Sequence, residues 1–212
     1  NAAEIINDYA DMEDIEKLDA YKSRICELVD YNSEAAAGNT PNDDDPWQMI
    51  YVFDEDNSTN VVCEGYSKAF QFLCDCSEFD SDITCDSVTG TMTVETPGKA
   101  IESEGHMWNI LHLDDGNNYI ADITNCDSEE DSTSNGVGYP DQLFLKGCEE
   151  YGSVEDGFSY VCNDTQIVTY EYDQDTLNLY SGDEDLLEMS TTDYEGGEDP
   201  VYDGDYEYEK EE

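Results

Sequence analysis

The sequence predicts an α+β fold in which helices pack on an antiparallel β-sheet. Three observations carry that expectation. Apolar residues recur at helical spacing over 12–31 and over 62–74. Residues 83–94 are rich in Thr and Val, the composition of a strand. Two alternating stretches, 106–113 and 119–124, flank Asp114-Asp115-Gly116-Asn117-Asn118, a strong hairpin signal.

The first helix is predicted from Ile15, Leu18, Tyr21, Ile25 and Leu28, which fall at three- and four-residue steps. Gly38, Pro41, three consecutive Asp and Pro46 make 35–46 a loop. Residues 47–53 are apolar and fit a short helix or a strand equally well. The clearest helix spans 62–74, where Val62, Tyr66, Ala69, Phe70 and Leu73 share one face. Within the strand at 83–94, Gly90 marks a bulge or a close approach of another chain segment. Further β-like stretches are Gln166–Tyr172 and Leu177–Tyr180. The domain is expected over 1–190. Residues 191–212 carry ten acidic residues against one Lys, with four Tyr, and read as an acidic tail or linker. Alternate tyrosines (Tyr202, Tyr206, Tyr208) leave room for an added edge strand there.

The 212-residue chain has 55 Asp plus Glu, 7 Lys plus Arg and a net charge of −48. That charge repels a phosphate backbone and an anionic membrane surface, so no nucleic-acid partner is expected. The longest apolar stretch, Trp47 to Phe53, is far too short to insert in a membrane. Acidity of this degree favours a soluble monomer. Eight cysteines exceed the usual cytosolic complement, which points to a secreted or cell-surface protein with some disulfides. Cys74 and Cys76 lack a second pair or a nearby His, so no zinc site is expected, nor any other metal or cofactor.

Three positions draw attention. Cys63 falls in the first turn of the clearest helix, where the macrodipole and unpaired N–H groups favour a thiolate and can hold an oxyanion. His106 begins a strand, and Asp122 lies near the end of the next one. If the intervening loop has three residues, Asp114 to Gly116, then Leu113 faces Asn117 and Asp122 faces Trp108. His106 then lies two residues further along that same face, a diagonal neighbour within side-chain reach. A two-residue turn at Asp115-Gly116 would put His106 and Asp122 on opposite faces. His112, six residues on, shares the face of His106 and is the only other histidine.

The ordered blocks Val62-Cys63-Glu64-Gly65-Tyr66-Ser67-Lys68-Ala69-Phe70, Gly105-His106-Met107-Trp108-Asn109 and Ala121-Asp122-Ile123-Thr124 resemble the bacterial members of the transglutaminase-like superfamily. The similarity covers about residues 47–125, and 15–31 and 170–189 follow more loosely. The resemblance implies a papain-like core, with the nucleophile helix packed on an antiparallel sheet that carries the other two groups. It implies Cys63 as nucleophile, His106 as base and acid, and Asp122 as the orienting residue, and it favours the three-residue loop. An upstream aromatic or amide often assists the oxyanion in related enzymes. Trp47 and Gln48 are candidates for that role or for the core, and Trp108 is a further cleft candidate. The chain departs from the family pattern at Val61, Met107 and Ile123-Thr124-Asn125, where Gly, Ala and Pro-Thr-Trp are common.

The implied activity is attack by Cys63 on a peptide or carboxamide carbonyl, a thioester, and transfer to water or an amine. Small size favours hydrolysis of a peptide or protein substrate. The alternatives are cross-linking or deamidation, a non-catalytic cell-surface binding module, and an acidic protein that binds cations. With Cys63 reserved for catalysis, seven cysteines remain, enough for at most three disulfides.

Overall fold

The computed structural model describes residues 1–37, 47–56, 58–127, 139 and 142–195. Helices α1 (Ala2–Asp8), α2 (Asp14–Leu28), α3 (Ser33–Ala36), α4 (Gln48–Val52) and α5 (Cys63–Asp75) come first. Strands β1 (Thr84–Glu95), β2 (Glu102–His112) and β3 (Asn118–Ala121) lead into the short helix α6 (Ile123–Cys126). Strands β4 (Glu150–Ser153), β5 (Gly157–Cys162) and β6 (Gln166–Tyr172), helix α7 (Gln174–Leu179) and a 3₁₀ turn at Glu184–Leu187 follow. The strands make one antiparallel sheet in the order β3-β2-β1-β6-β5-β4. The α+β expectation therefore holds at the level of helices packed on a curled antiparallel sheet.

Two apolar clusters lie on the two faces of this sheet. One joins α2 and α5 (Leu18, Tyr21, Ile25, Tyr66, Ala69, Phe70 and Leu73) to Leu111 and Ala121. The other gathers Trp108, Ile110, Phe158, Tyr160, Val168, Tyr170 and Tyr172 under Leu143, Leu187 and Met189. Alternation along β2 sends Trp108 and Ile110 to the second cluster and Leu111 to the first. Both faces are covered, so 108–111 are all buried.

The hairpin has the three-residue loop. Leu113 and Asn117 face each other, with Leu113 N donating to Asn117 O at 3.1 Å, and Gly116 takes φ +78°. The ladder then pairs His112 with Asn118 and Asn109 with Ala121. Gly90 is a close approach rather than a bulge, since it stays in register with both His106 and Tyr172. A Cβ there would collide with the Glu171 carbonyl and come within 2.7 Å of the Trp108 ring.

Several boundaries differ from expectation. Residues 47–53 resolve as the helix α4. Leu177–Tyr180 is not a strand; it overlaps α7, which starts because the Asp173 carboxylate accepts from Thr176 N at 2.8 Å. β2 begins at Glu102, four residues before His106, and these four are exposed, so no apolar alternation announced them. β3 ends at Ala121, and Asp122 caps α6 instead of lying in the strand. The expected disulfides are also corrected: all eight cysteines are thiols. Five of them are buried, Cys74 and Cys85 together in the first cluster.

Among the described residues no helix is long and apolar enough to cross a membrane. Residues 38–46 and 196–212, which include the acidic loop and the tail tyrosines Tyr202, Tyr206 and Tyr208, lie outside the described residues. The described start of the tail packs on the domain. Thr192 backbone sits against Gly147, and Asp193 accepts from Lys146 Nζ at 2.9 Å and Gly147 N at 3.0 Å. Tyr194 meets the Tyr119 ring edge-on at 5.6 Å. Ending the chain after Ser190 should therefore lower stability by about 1 kcal/mol relative to ending it after Glu195, from the lost ring pair and ordered contacts. Paired thermal melts would check this, and equal melting temperatures would restore the boundary at 190.

Candidate active site

Cys63 is the first residue of α5, and Val62 enters it in extended conformation, φ −95° and ψ −178°. Gly65 permits this entry, because a Cβ there would lie 2.5 Å from Val61 Cβ. Val62 N donates to Gln48 Oε1 at 3.2 Å, so α4 supports the residue next to the thiol. One turn on, Ser67 Oγ donates to Met107 O at 2.9 Å. Asn109 Nδ2 donates to Ser67 O and to Ser87 Oγ, both at 3.0 Å. These bonds fix the start of α5 against β1 and β2, beside His106.

The His106 ring is held by Asp122 and has Cys63 as a neighbour. Nε2 lies 2.9 Å from Asp122 Oδ2, and Cys63 lies close enough to the ring to influence its charge. The ring is nearly parallel to Trp108, at 6.2 Å between centroids and 17° between planes. Burial disfavours the charged imidazole, but the charge and hydrogen bond of Asp122, then those of Cys63, outweigh it and raise the His106 pKa to about 10.

Asp122 is fully buried. Its Oδ1 caps α6 by accepting from Asn125 N at 3.2 Å. Its Oδ2 also accepts from Tyr170 Oη at 2.6 Å and Asn125 Nδ2 at 2.7 Å. Burial works against the carboxylate, yet the His106 charge and the bonds from His106, Tyr170 and Asn125 hold its pKa below the ordinary value. Burial and the Asp122 charge keep the Tyr170 phenol far above its ordinary pKa, so it serves as a donor.

Cys63, His106 and Asp122 thus come together from α5, β2 and the end of β3. The other candidates scatter. Gln48 is buried with its oxygen on Val62 N. Trp47 is 58% exposed and so is no core residue. Trp108 is fully buried behind the imidazole, which corrects its assignment to the cleft. His112 is about 20 Å along the strand from His106, held by Asn118 Oδ1 at 2.8 Å and Asp86 Oδ2 at 3.2 Å. Sequence reasoning missed Tyr170 and Asn125. Asn125 stands at one of the departures from the family pattern, and its side chain supplies one of the bonds to Asp122. Among the described residues no group of three or more His, Cys, Asp or Glu side chains is placed to hold a metal ion. Compared with protein-family models, curated proteins and solved structures, the chain matches none.

Proposed function

We propose that the protein is a cysteine-dependent acyl-transfer enzyme of papain-like, transglutaminase-like type that hydrolyses peptide or carboxamide bonds through a thioester at Cys63. The observation that carries this reading is the juxtaposition of Cys63, at a helix N-terminus, with the His106 imidazole, which is hydrogen-bonded to the buried Asp122 carboxylate. The ordered Cys, His and Asp blocks of the sequence support it independently.

The chemistry follows from these groups. Sγ attacks the carbonyl carbon with its proton already resident on His106. The tetrahedral intermediate collapses, the C–N bond breaks, and His106 gives its proton to the departing amine. His106 then deprotonates a water, which attacks the thioester; the acid leaves and the thiol is restored. Asp122 keeps the ring oriented and favours its charged form throughout, and Tyr170 and Asn125 keep Asp122 in place. Water is the acceptor that needs no second binding site.

The test is turnover of a peptide-amide library in ¹⁸O-labelled water, with mass analysis of both products and protein. Wild type should release amine, place ¹⁸O in the new carboxyl, and carry transient acyl mass on Cys63; Cys63→Ala should do none of these. Amide products formed with an added primary amine, at the expense of labelled acid, would replace hydrolysis by transamidation. Neither release nor acyl adduct from wild type would remove the acyl-transfer reading.

A further inference from the structure

An attacked carbonyl needs donors for its developing negative oxygen. Trp108 is buried behind the imidazole, and Gln48 turns its accepting oxygen to Val62 N, next to the nucleophile. The Cys63 N–H, in the first turn of α5, is one donor by the geometry of helix ends. A second candidate lies elsewhere in the sequence.

The chain leaving α2 runs beside the chain entering α5. Tyr31 and Val61 form a parallel bridge; Asn32 N donates to Val61 O at 2.9 Å and Val61 N to Asp30 O at 3.2 Å. Asn32 Nδ2 adds a bond to Asn60 O at 3.5 Å. Tyr31 is therefore pinned opposite a residue two positions from the nucleophile. Its ring is half-buried against the helical core cluster. Its hydroxyl feels, beyond burial, the charges of Cys63, Glu104 and Asp122. Those three come from the start of α5, from β2 beside His106, and from the end of β3, and they converge only at the candidate active site. All of these influences push the phenol above its ordinary pKa. The hydroxyl thus stays neutral and keeps its proton to donate. Among the described residues no group hydrogen-bonds it.

We infer that Tyr31 is a catalytic residue whose hydroxyl, with the Cys63 N–H, holds the carbonyl oxygen of the group being transferred. This role rests on the acyl-transfer reading proposed above. As Sγ bonds to the carbonyl carbon, the carbonyl π pair moves onto oxygen, and Tyr31 donates a hydrogen bond without losing its proton. When that pair returns, the C–N bond breaks and the amine leaves with the proton from His106. Tyr31 takes no part in alkylation of the thiol by iodoacetamide, a displacement at an sp³ carbon that creates no oxyanion.

That difference gives the experiment. Wild type and Tyr31→Phe are each treated with iodoacetamide and, separately, with p-nitrophenyl acetate, following mass gain at Cys63. Tyr31→Phe should keep the alkylation rate within about twofold, which also shows the site is folded, and lose about a hundredfold in acylation rate, as expected for one oxyanion donor. Acylation left unchanged by Tyr31→Phe, or an equal fall in both rates, would overturn the role of Tyr31 while the acyl-transfer reading stands. Wild type that alkylates at Cys63 but is never acylated there would overturn that reading, and the role of Tyr31 with it.

Discussion

Iodoacetamide at pH 6 should modify Cys63 ahead of the seven other cysteines, and His106→Ala should remove that preference. An ordinary exposed thiol, with a pKa near 8.5, is only about 0.3% thiolate at pH 6. Cys76 is exposed and serves as the internal comparison. Burial pushes up the thiols of Cys26, Cys85 and Cys148 and takes Cys162 to about 12, so these stay silent. Cys63 is only partly exposed, yet it sits at a helix N-terminus beside an imidazole that Asp122 keeps charged, an environment that raises sulfur reactivity. Asp122 holds His106 charged well above neutrality. The Cys63 rate should exceed that of Cys76 by about tenfold or more and fall about a hundredfold in His106→Ala. Peptide mapping after a timed quench reads both. If Cys63 proved no faster than Cys76, the binding-module reading would take the place of the enzyme.

The parts of the fold legible in the sequence are those fixed locally. Helix α5 buries Tyr66, Ala69, Phe70 and Leu73 on one stripe, and that stripe is written in the spacing. The β2–β3 register follows from one loop, because Gly116 accepts the left-handed conformation that a three-residue turn requires. Helix α1 was missed although Ala2, Ile5, Ile6 and Tyr9 fall at helical spacing and pack on the first cluster, because a seven-residue helix gives the period less than two full turns to show. β4 and β5 were hidden for a related reason, since their residues are short runs broken by Glu155 and Asp156 and draw their pairing from β6.

The site divides in the same way. Cys63, His106 and Asp122 sit in short blocks whose residue types and order are informative. Their supports are not, because they arrive from distant segments. Tyr170 is 48 residues from Asp122, and nothing in an alternating Gln166–Tyr172 strand says that its hydroxyl ends on a carboxylate. Tyr31 is brought beside the chain entering α5 by its bridge to Val61. Trp108 was misassigned because alternation put it on the face of His106 without showing that Tyr170, Tyr172 and Phe158 close over it.

Asp122→Asn should be among the most destabilising conservative changes in the protein, and its cost should depend on pH. Every bond reaching the Asp122 side chain comes from a donor: His106 Nε2, Tyr170 Oη and Asn125 Nδ2 on Oδ2, and Asn125 N on Oδ1. An asparagine has one acceptor oxygen, so in either orientation its NH₂ group faces donors in a dry interior. Breaking a buried charged network of this kind costs about 3–5 kcal/mol, or a fall of about 6–20 °C in melting temperature for a domain of this size. The raised pKa of His106 means its stabilisation is complete below 6.5 and is lost as pH rises through about 10. The depressed pKa of Asp122 means its share is complete above 3.8 and is lost as pH falls through the lower folded value. The gap between wild type and variant should thus be widest between pH 3.8 and 6.5 and narrow towards pH 10. Comparing the two proteins cancels the pH response of the other acidic residues, which is large in a chain of net charge −48. Thermal melts of both at pH 5, 8 and 10 and constant ionic strength give the answer. A gap that stays constant with pH, or an Asp122→Asn protein as stable as wild type, would mean that the buried pair is not held as an imidazolium and a carboxylate.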